Sequence, residues 1–433
     1  MTVRQATHAG SWYSDDASTL DHELQQWLDQ VPASVKEIEP AGGQIAVPVK
    51  GVRAIIGPHA GYSYSGSNAA FAYKCIDTTG IKRVFLLGPS HHVYLNNKCA
   101  LSQCTEYQTP LGNICVDQEL VEELRQRGDW QTMGLGVDED EHSLEMHLPY
   151  IYKVFEHKIS EITLVPILVG GLRLDGEKYY GELLAEYLND PQNVFVVSSD
   201  FCHWGSRFRY TYYREMAEDG AGVSGRVTHL SSRSARALNT PIWKSIRKLD
   251  WDGMEAVARM DHTAFKRYLD DTNNTICGRH PIGVLLAAVN KLYPAGGQAY
   301  GSDVSVSASA GVQCQTPRLR FVKYDQSSKV HAPSDSRHLS QSIMKNSGSV
   351  AVTPTSPTSD HPAADSAAPQ VDSLTSAQRE DLVNEAEWGF RVWLRESGPR
   401  LGYVLYPSSQ QILKSLHALY ALLDAIDFSD IAS

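Results

Sequence analysis

Four stretches of this chain are apolar almost without interruption: RAIIG at 53–57, RVFLLG at 83–88, ITLVPILV at 162–169 and NVFVVSS at 193–199. A strand with one wet face alternates polar and apolar side chains. Unbroken runs of this length instead predict strands buried on both faces, as in a mainly parallel sheet covered by helices. Helical spacing recurs around them, at 15–29 with Leu20, Leu24 and Leu28 on one face, and at 116–126, 176–189 and 282–293. The alternation predicts an α/β fold, a three-layer sandwich around a mainly parallel central sheet. Two later runs, SDVSVSASAGV and RLRFVKYD, read as more exposed strands.

The strands end in an unusual way. RAIIG runs into Gly57-Pro58-His59, RVFLLG into Pro89-Ser90-His91-His92, and NVFVVSS into Asp200, Cys202 and His203. Ligands of open α/β sheets bind at the carboxyl ends of the strands, so parallel neighbours would gather these tips into one cleft. A fourth element, TICGRHPIGVLL, sets Cys277 just before a helix whose first turn holds Pro281. A helix N-terminus favours the thiolate, so Cys277 is expected to have a lowered pKa. Two imidazoles, His59 and His91, with one thiolate form a metal set. Asp200 and His203 are the candidates for orienting water or moving protons. Cys202 reads as a small core residue.

Other residues are candidates for the cleft wall. The run DEDEHSLEMHLPY offers His142, Glu145 and His147, but its histidines are five apart, and the zinc-protease pattern HExxH needs four. His8, His92 and Arg279 complete the group. No GxSxG elbow, phosphate-binding P-loop or dinucleotide glycine fingerprint is present.

Composition narrows the class. The formal charge of −11 over 433 residues, with no basic stripe, argues against nucleic-acid binding. No secretory leader is evident at the start, and no run nears the roughly 18 apolar residues of a membrane span. The seven scattered cysteines form no CxxC pair, which predicts a reduced intracellular protein, cytoplasmic and also compatible with the nucleus. Residues 326–374 are rich in Ser, Pro, Ala and Thr and lack aromatic residues, so they are expected to be a disordered linker. That linker divides a self-sufficient body, 1–325, from a helical extension, 375–433, which is expected to dock on the body or on a partner. Surface insertions are expected at about 35–50 and 217–240.

HAGSWY, IIGPHAGYSYSG, LLGPSHHV, EDEHSLEMHLPY, VVSSDFCHWGSRFRY and NTICGRHPIGVLL, in that order, resemble the MEMO family, mediators of ErbB2-driven cell motility. The resemblance spans about residues 4–325. It implies the fold of class III extradiol (LigB-type) dioxygenases. It also implies a copper or iron ion on His59, His91 and Cys277, with Asp200 and His203 as the other polar residues of the pocket and His203 as base. Cys277 stands where those dioxygenases use a carboxylate, which shifts preference toward copper(I) or zinc. The function implied is a metal-dependent redox role tied to signalling, motility and metal homeostasis. The alternatives are a non-catalytic adaptor for a signalling peptide or phosphopeptide, and a true ring-cleaving dioxygenase.

Overall fold

The computed structural model describes residues 2–38, 43–216, 227–231, 238–294, 317–331 and 349–354. Its central sheet has eight strands: β1 (Ala54–Gly57), β2 (Arg83–Pro89), β3 (Cys99–Ser102), β4 (Gln131–Met133), β5 (Thr163–Val169), β6 (Asn193–Ser198), β7 (Pro317–Lys323) and β8 (Ser349–Pro354). They lie in the order β7–β8–β1–β6–β2–β5–β3–β4. The four apolar runs are the parallel centre β1–β6–β2–β5, and antiparallel pairings at β5–β3, β8–β1 and β7–β8 extend it. All six residues of β6 are buried, as the unbroken run requires.

Helices cover both faces. They are α1 (Ala17–Asp29), α2 (Tyr62–Lys74), α3 (Gln118–Arg127), α4 (Leu148–Phe155), α5 (Leu174–Asn189), α6 (Ile242–Ala258), α7 (His262–Thr272) and α8 (Arg279–Leu292). Alternation along β2 separates the layers. Phe85 meets Tyr187 of α5 at 5.4 Å between ring centroids. Gly88 faces the other way, and a Cβ there would lie 2.8 Å from Leu144, in the turn before α4. The expected three layers are therefore present. In α1, Leu20, Leu24 and Leu28 are the buried residues, and Asp16 caps the helix by accepting a hydrogen bond from the Thr19 N–H. The region about 35–50 holds a small antiparallel ribbon, Ser34–Lys36 with Gln44–Ala46.

The boundary at 325 needs correcting. Val330 is buried, and its carbonyl accepts from the Trp243 N–H. Strand β8 arises from the stretch expected to be disordered, yet it lies between β7 and β1. The compact unit accordingly runs to Ser356. β8 reads SVAVTP, and its alternating Val350 and Val352 are a β-strand pattern that the surrounding Ser/Pro bias hides. The run SDVSVSASAGV, the core of the 217–240 insertion and the helical extension at 375–433 lie outside the described residues.

Candidate metal centre

Strands β1, β6 and β2 are consecutive in the sheet, and their register sets Gly57 beside Ser198 and Val197 beside Leu87. Their continuations therefore emerge side by side. Asp200 lies against His59, whose backbone N–H it accepts at 3.2 Å. The rings of His59 and His91 approach to 5.2 Å. Cys277 arrives from the start of α8, with Sγ 3.1 Å from His59 Nε2. Donor atoms of His59, His91 and Cys277 all lie within 4.8 Å of one another, as do those of Asp200, His203 and Cys277. These groups open into a cleft of about 1040 Å³.

Hydrogen bonding fixes which imidazole nitrogen faces the donors. The Ser198 hydroxyl donates to the Ser143 carbonyl, so toward His59 it accepts, and Nδ1–H of His59 donates at 2.6 Å. His91 gives its Nδ1 to Glu141 at 2.8 Å, and the second oxygen of that carboxylate accepts the His91 backbone N–H. His203 donates Nδ1–H to the Thr275 carbonyl at 3.0 Å. In each ring Nδ1 is engaged by the protein and Nε2 is the nitrogen left for a ligand, the arrangement that orients metal-binding histidines.

Burial sets the charges. It holds the imidazoles of His59 and His203 below the ordinary histidine value, His203 at about 4, so both are neutral bases at pH 7. Burial pushes Asp200 up to about 7, and its Oδ2, 3.9 Å from His59 Nε2, has no hydrogen-bond partner among the described residues. Burial alone would raise Glu141, but the hydrogen bond and charge of His91 bring it down to about 2. The expectation of a lowered Cys277 pKa is overturned. Burial first, then the Asp200 carboxylate, push this thiol up, and they outweigh the helix end.

The wall residues divide. His142 and Arg279 line the cleft, and His142 stacks on His91 at 4.4 Å with Trp12 on its other side at 4.6 Å. Burial lowers His142 to about 3. His8 and His92 approach His142 to 6.0 and 6.1 Å but do not belong to the lining. Glu145 and His147 are turned into the core, a correction to their placement in the wall. Glu145 holds Arg4 at 2.6 Å, His8 at 2.8 Å and Tyr13 at 2.7 Å, and His147 receives the Tyr73 hydroxyl at 2.7 Å. Cys202 is buried, as expected of a core residue. Glu141, Ser198, Thr275 and Trp12 were not anticipated. Of these only Glu141, in an acidic run before a histidine, carried a signal.

Residues 4–340 match the model of a family described as Memo-like protein. Protein MEMO1 of Rattus norvegicus is 43% identical over 324 residues, covering 75% of this chain and 96% of that protein. Protein MEMO1 of Homo sapiens gives the same figures. The memo-1 homolog of Caenorhabditis elegans is 39% identical over 334 residues, 77% of this chain and 80% of that one. An uncharacterized Escherichia coli K12 protein of known structure covers 69% of this chain and 97% of its own at 11% identity, with a TM-score of 0.36, too low to carry an argument.

Proposed function

The chain belongs to the Memo-like family, and from that membership we propose that it is a metal-binding protein whose cleft carries out redox chemistry. The observation that supports this best is the shared tautomer of His59 and His91. Each ties Nδ1 to a protein acceptor and leaves Nε2 for a ligand, that of His59 lying 3.1 Å from Cys277 Sγ. The site fits a cation on independent grounds, because the buried Asp200 Oδ2 has no hydrogen-bond partner among the described residues.

His59, His91 and Cys277 would hold the ion. A thiolate with two imidazoles favours a soft or borderline cation, copper(I) or zinc ahead of iron(II), and copper or iron would supply one-electron exchange with oxygen or peroxide. Glu141 keeps His91 in position. Ser198 does the same for His59 and is itself held by Ser143. His203, neutral and fixed by Thr275, accepts or returns a proton at Nε2. Asp200 divides between neutral and ionised forms near pH 7, so it can exchange a proton there without a large energetic penalty. Elemental analysis of protein purified without added metal tests the centre. One equivalent of copper or iron is expected, and the His59→Ala, His91→Ala, Cys277→Ser triple variant should carry none. Equal metal in both would sink the reading.

A second reading, an adaptor for a signalling peptide or phosphopeptide, draws support from Arg207 and Arg279 in the cleft lining. It predicts phosphopeptide binding that survives complete removal of metal. A ring-cleaving dioxygenase would instead consume oxygen with catechols. Among the described residues no helix is long and apolar enough to cross a membrane. The six cysteines among them are free thiols, in keeping with the proposal of a reduced, cytoplasmic setting.

A further inference from the structure

A fourth histidine follows the same hydrogen-bonding rule outside the His59, His91 and Cys277 donor set. His280, in the first turn of α8, lines the cleft and turns Nδ1 to the Glu177 carboxylate at 2.7 Å. Glu177 lies on α5 and is 4% exposed. Its other oxygen meets Nε2 of His262, the first residue of α7, at 2.6 Å. One buried carboxylate thus joins three helices. Burial alone would raise Glu177, but hydrogen bonds from both imidazoles keep it below the usual range, ionised and accepting only. His280 must then carry its proton on Nδ1, and the nitrogen left to the cleft is Nε2. The packing is built around that carboxylate, since a Cβ on Gly283 would come within 2.5 Å of it.

We propose that His280 is a ligand-facing base of this cleft, separate from His203, that takes the proton of hydrogen peroxide entering it, and that Glu177 is its positioning residue. The proposal rests on the redox reading above. In the step, the O–H bond of HOOH breaks, its proton forms Nε2–H, and the hydroperoxide anion stays with its electron pair. The imidazolium produced lies against the Glu177 carboxylate, which offsets its charge, as in other base–orienter pairs. Other charged or titratable groups around His280 include His262 across Glu177 and, in the cleft lining, Arg207, Arg279, Asp200, His59, His91, His142, His203 and Cys277.

Two measurements on the full chain decide it. In nitrogen-15 histidine spectra, with His280→Gln supplying the assignment, the wild-type ring should show Nδ1 protonated and Nε2 bare. Glu177→Gln should release it toward the Nε2–H form. Peroxide reduction by copper-loaded protein with ascorbate should fall about 10²-fold in His280→Gln, the scale of a lost general base, at unchanged copper content. A wild-type ring protonated on Nε2 overturns the proposal, and so does an unchanged rate in His280→Gln. If wild type itself fails to reduce peroxide, the redox reading fails first and takes this role with it, an outcome distinct from the other two.

Discussion

Four of the cleft histidines are each defined by the atom behind the ring. Ser198, Glu141, Thr275 and Glu177 take the Nδ1 protons of His59, His91, His203 and His280, and none of them belongs to the proposed His59, His91 and Cys277 donor set. That makes Glu141 a sharper test of the centre than the histidines it serves. Glu141→Gln leaves the donor set intact, yet it should weaken metal binding 10- to 100-fold, the usual cost of losing such an outer partner. Competition with a chelator of known affinity measures it, and an unchanged affinity would mean His91 is held by its stacking on His142 alone. Cys277→Ser should cost more for copper than for zinc, because a hydroxyl is a poor ligand for the softer ion. His203→Ala should keep its metal and lose about 10²-fold in peroxide turnover if proton transfer limits the rate. Loss of metal from that variant would make His203 a donor. His59, His91, His203 and Cys277 were legible as candidates because a strand end or helix start and the residue type are visible in a sequence, whereas His280 was not singled out. Their hydrogen-bond partners were not legible. Thr275 and Ser198 are common residues, marked only by the neighbour that folding brings to them.

Elements were legible where burial follows a single period along the chain. The four parallel strands and α1, α3, α5 and α8 show the required spacing. Helix α2 does not. YSYSGSNAAFAYK has no clear apolar stripe because small residues let α1 and the sheet close in on several sides. Gly66 is one such point, where any Cβ would strike the Trp27 ring at 2.4 Å. Strand β3 and the edge strand β4 are too short to show a period. Helix α6 contains a polar residue with consequences for pH. Asp250 accepts from the Cys202 N–H and the Asn274 amide on one oxygen and from the Tyr324 hydroxyl on the other, and burial pushes it up to about 7. It thereby ties α6 to the tip of β6 and to the segment after β7. In the unfolded chain it titrates near the ordinary carboxylate value of about 4. The folded state therefore keeps a proton that the unfolded state has lost, so this group's contribution is full below pH 4 and falls as pH rises through 7. Asp250→Asn should flatten that part of the decline. Urea denaturation at pH 5 and pH 8 measures it, and a variant whose stability drops between the two as much as wild type would place the loss elsewhere, with Asp200 the first group to examine.

At the scale of the whole chain, the family match ends at 340 while the compact unit ends at Ser356. The difference is β8. Its Val350, Ala351 and Val352 pair with Ile56, Ile55 and Ala54 of β1, the strand that carries His59 into the cleft. Composition alone pointed to disorder there, because a six-residue strand is diluted by the Ser/Pro stretch around it. Pairing with an existing sheet needs only backbone groups and alternate side chains, so a short segment can order without a core of its own. A strand filling this position is worth more than its length suggests. Without it, buried N–H and C=O groups of β1 lose their partners, each at about 1–3 kcal/mol. Two shortened chains separate the possibilities. One ending at Ser356 should melt cooperatively at the temperature of the full chain, because the unit is complete. One ending at residue 340 should melt lower and bind metal more weakly, because the β1 edge is open and His59 follows directly from it. Differential scanning calorimetry and metal titration of both read the result. If the shorter chain matches the longer in stability and affinity, β1 does not depend on β8, and the boundary of the body returns to the family's own limit.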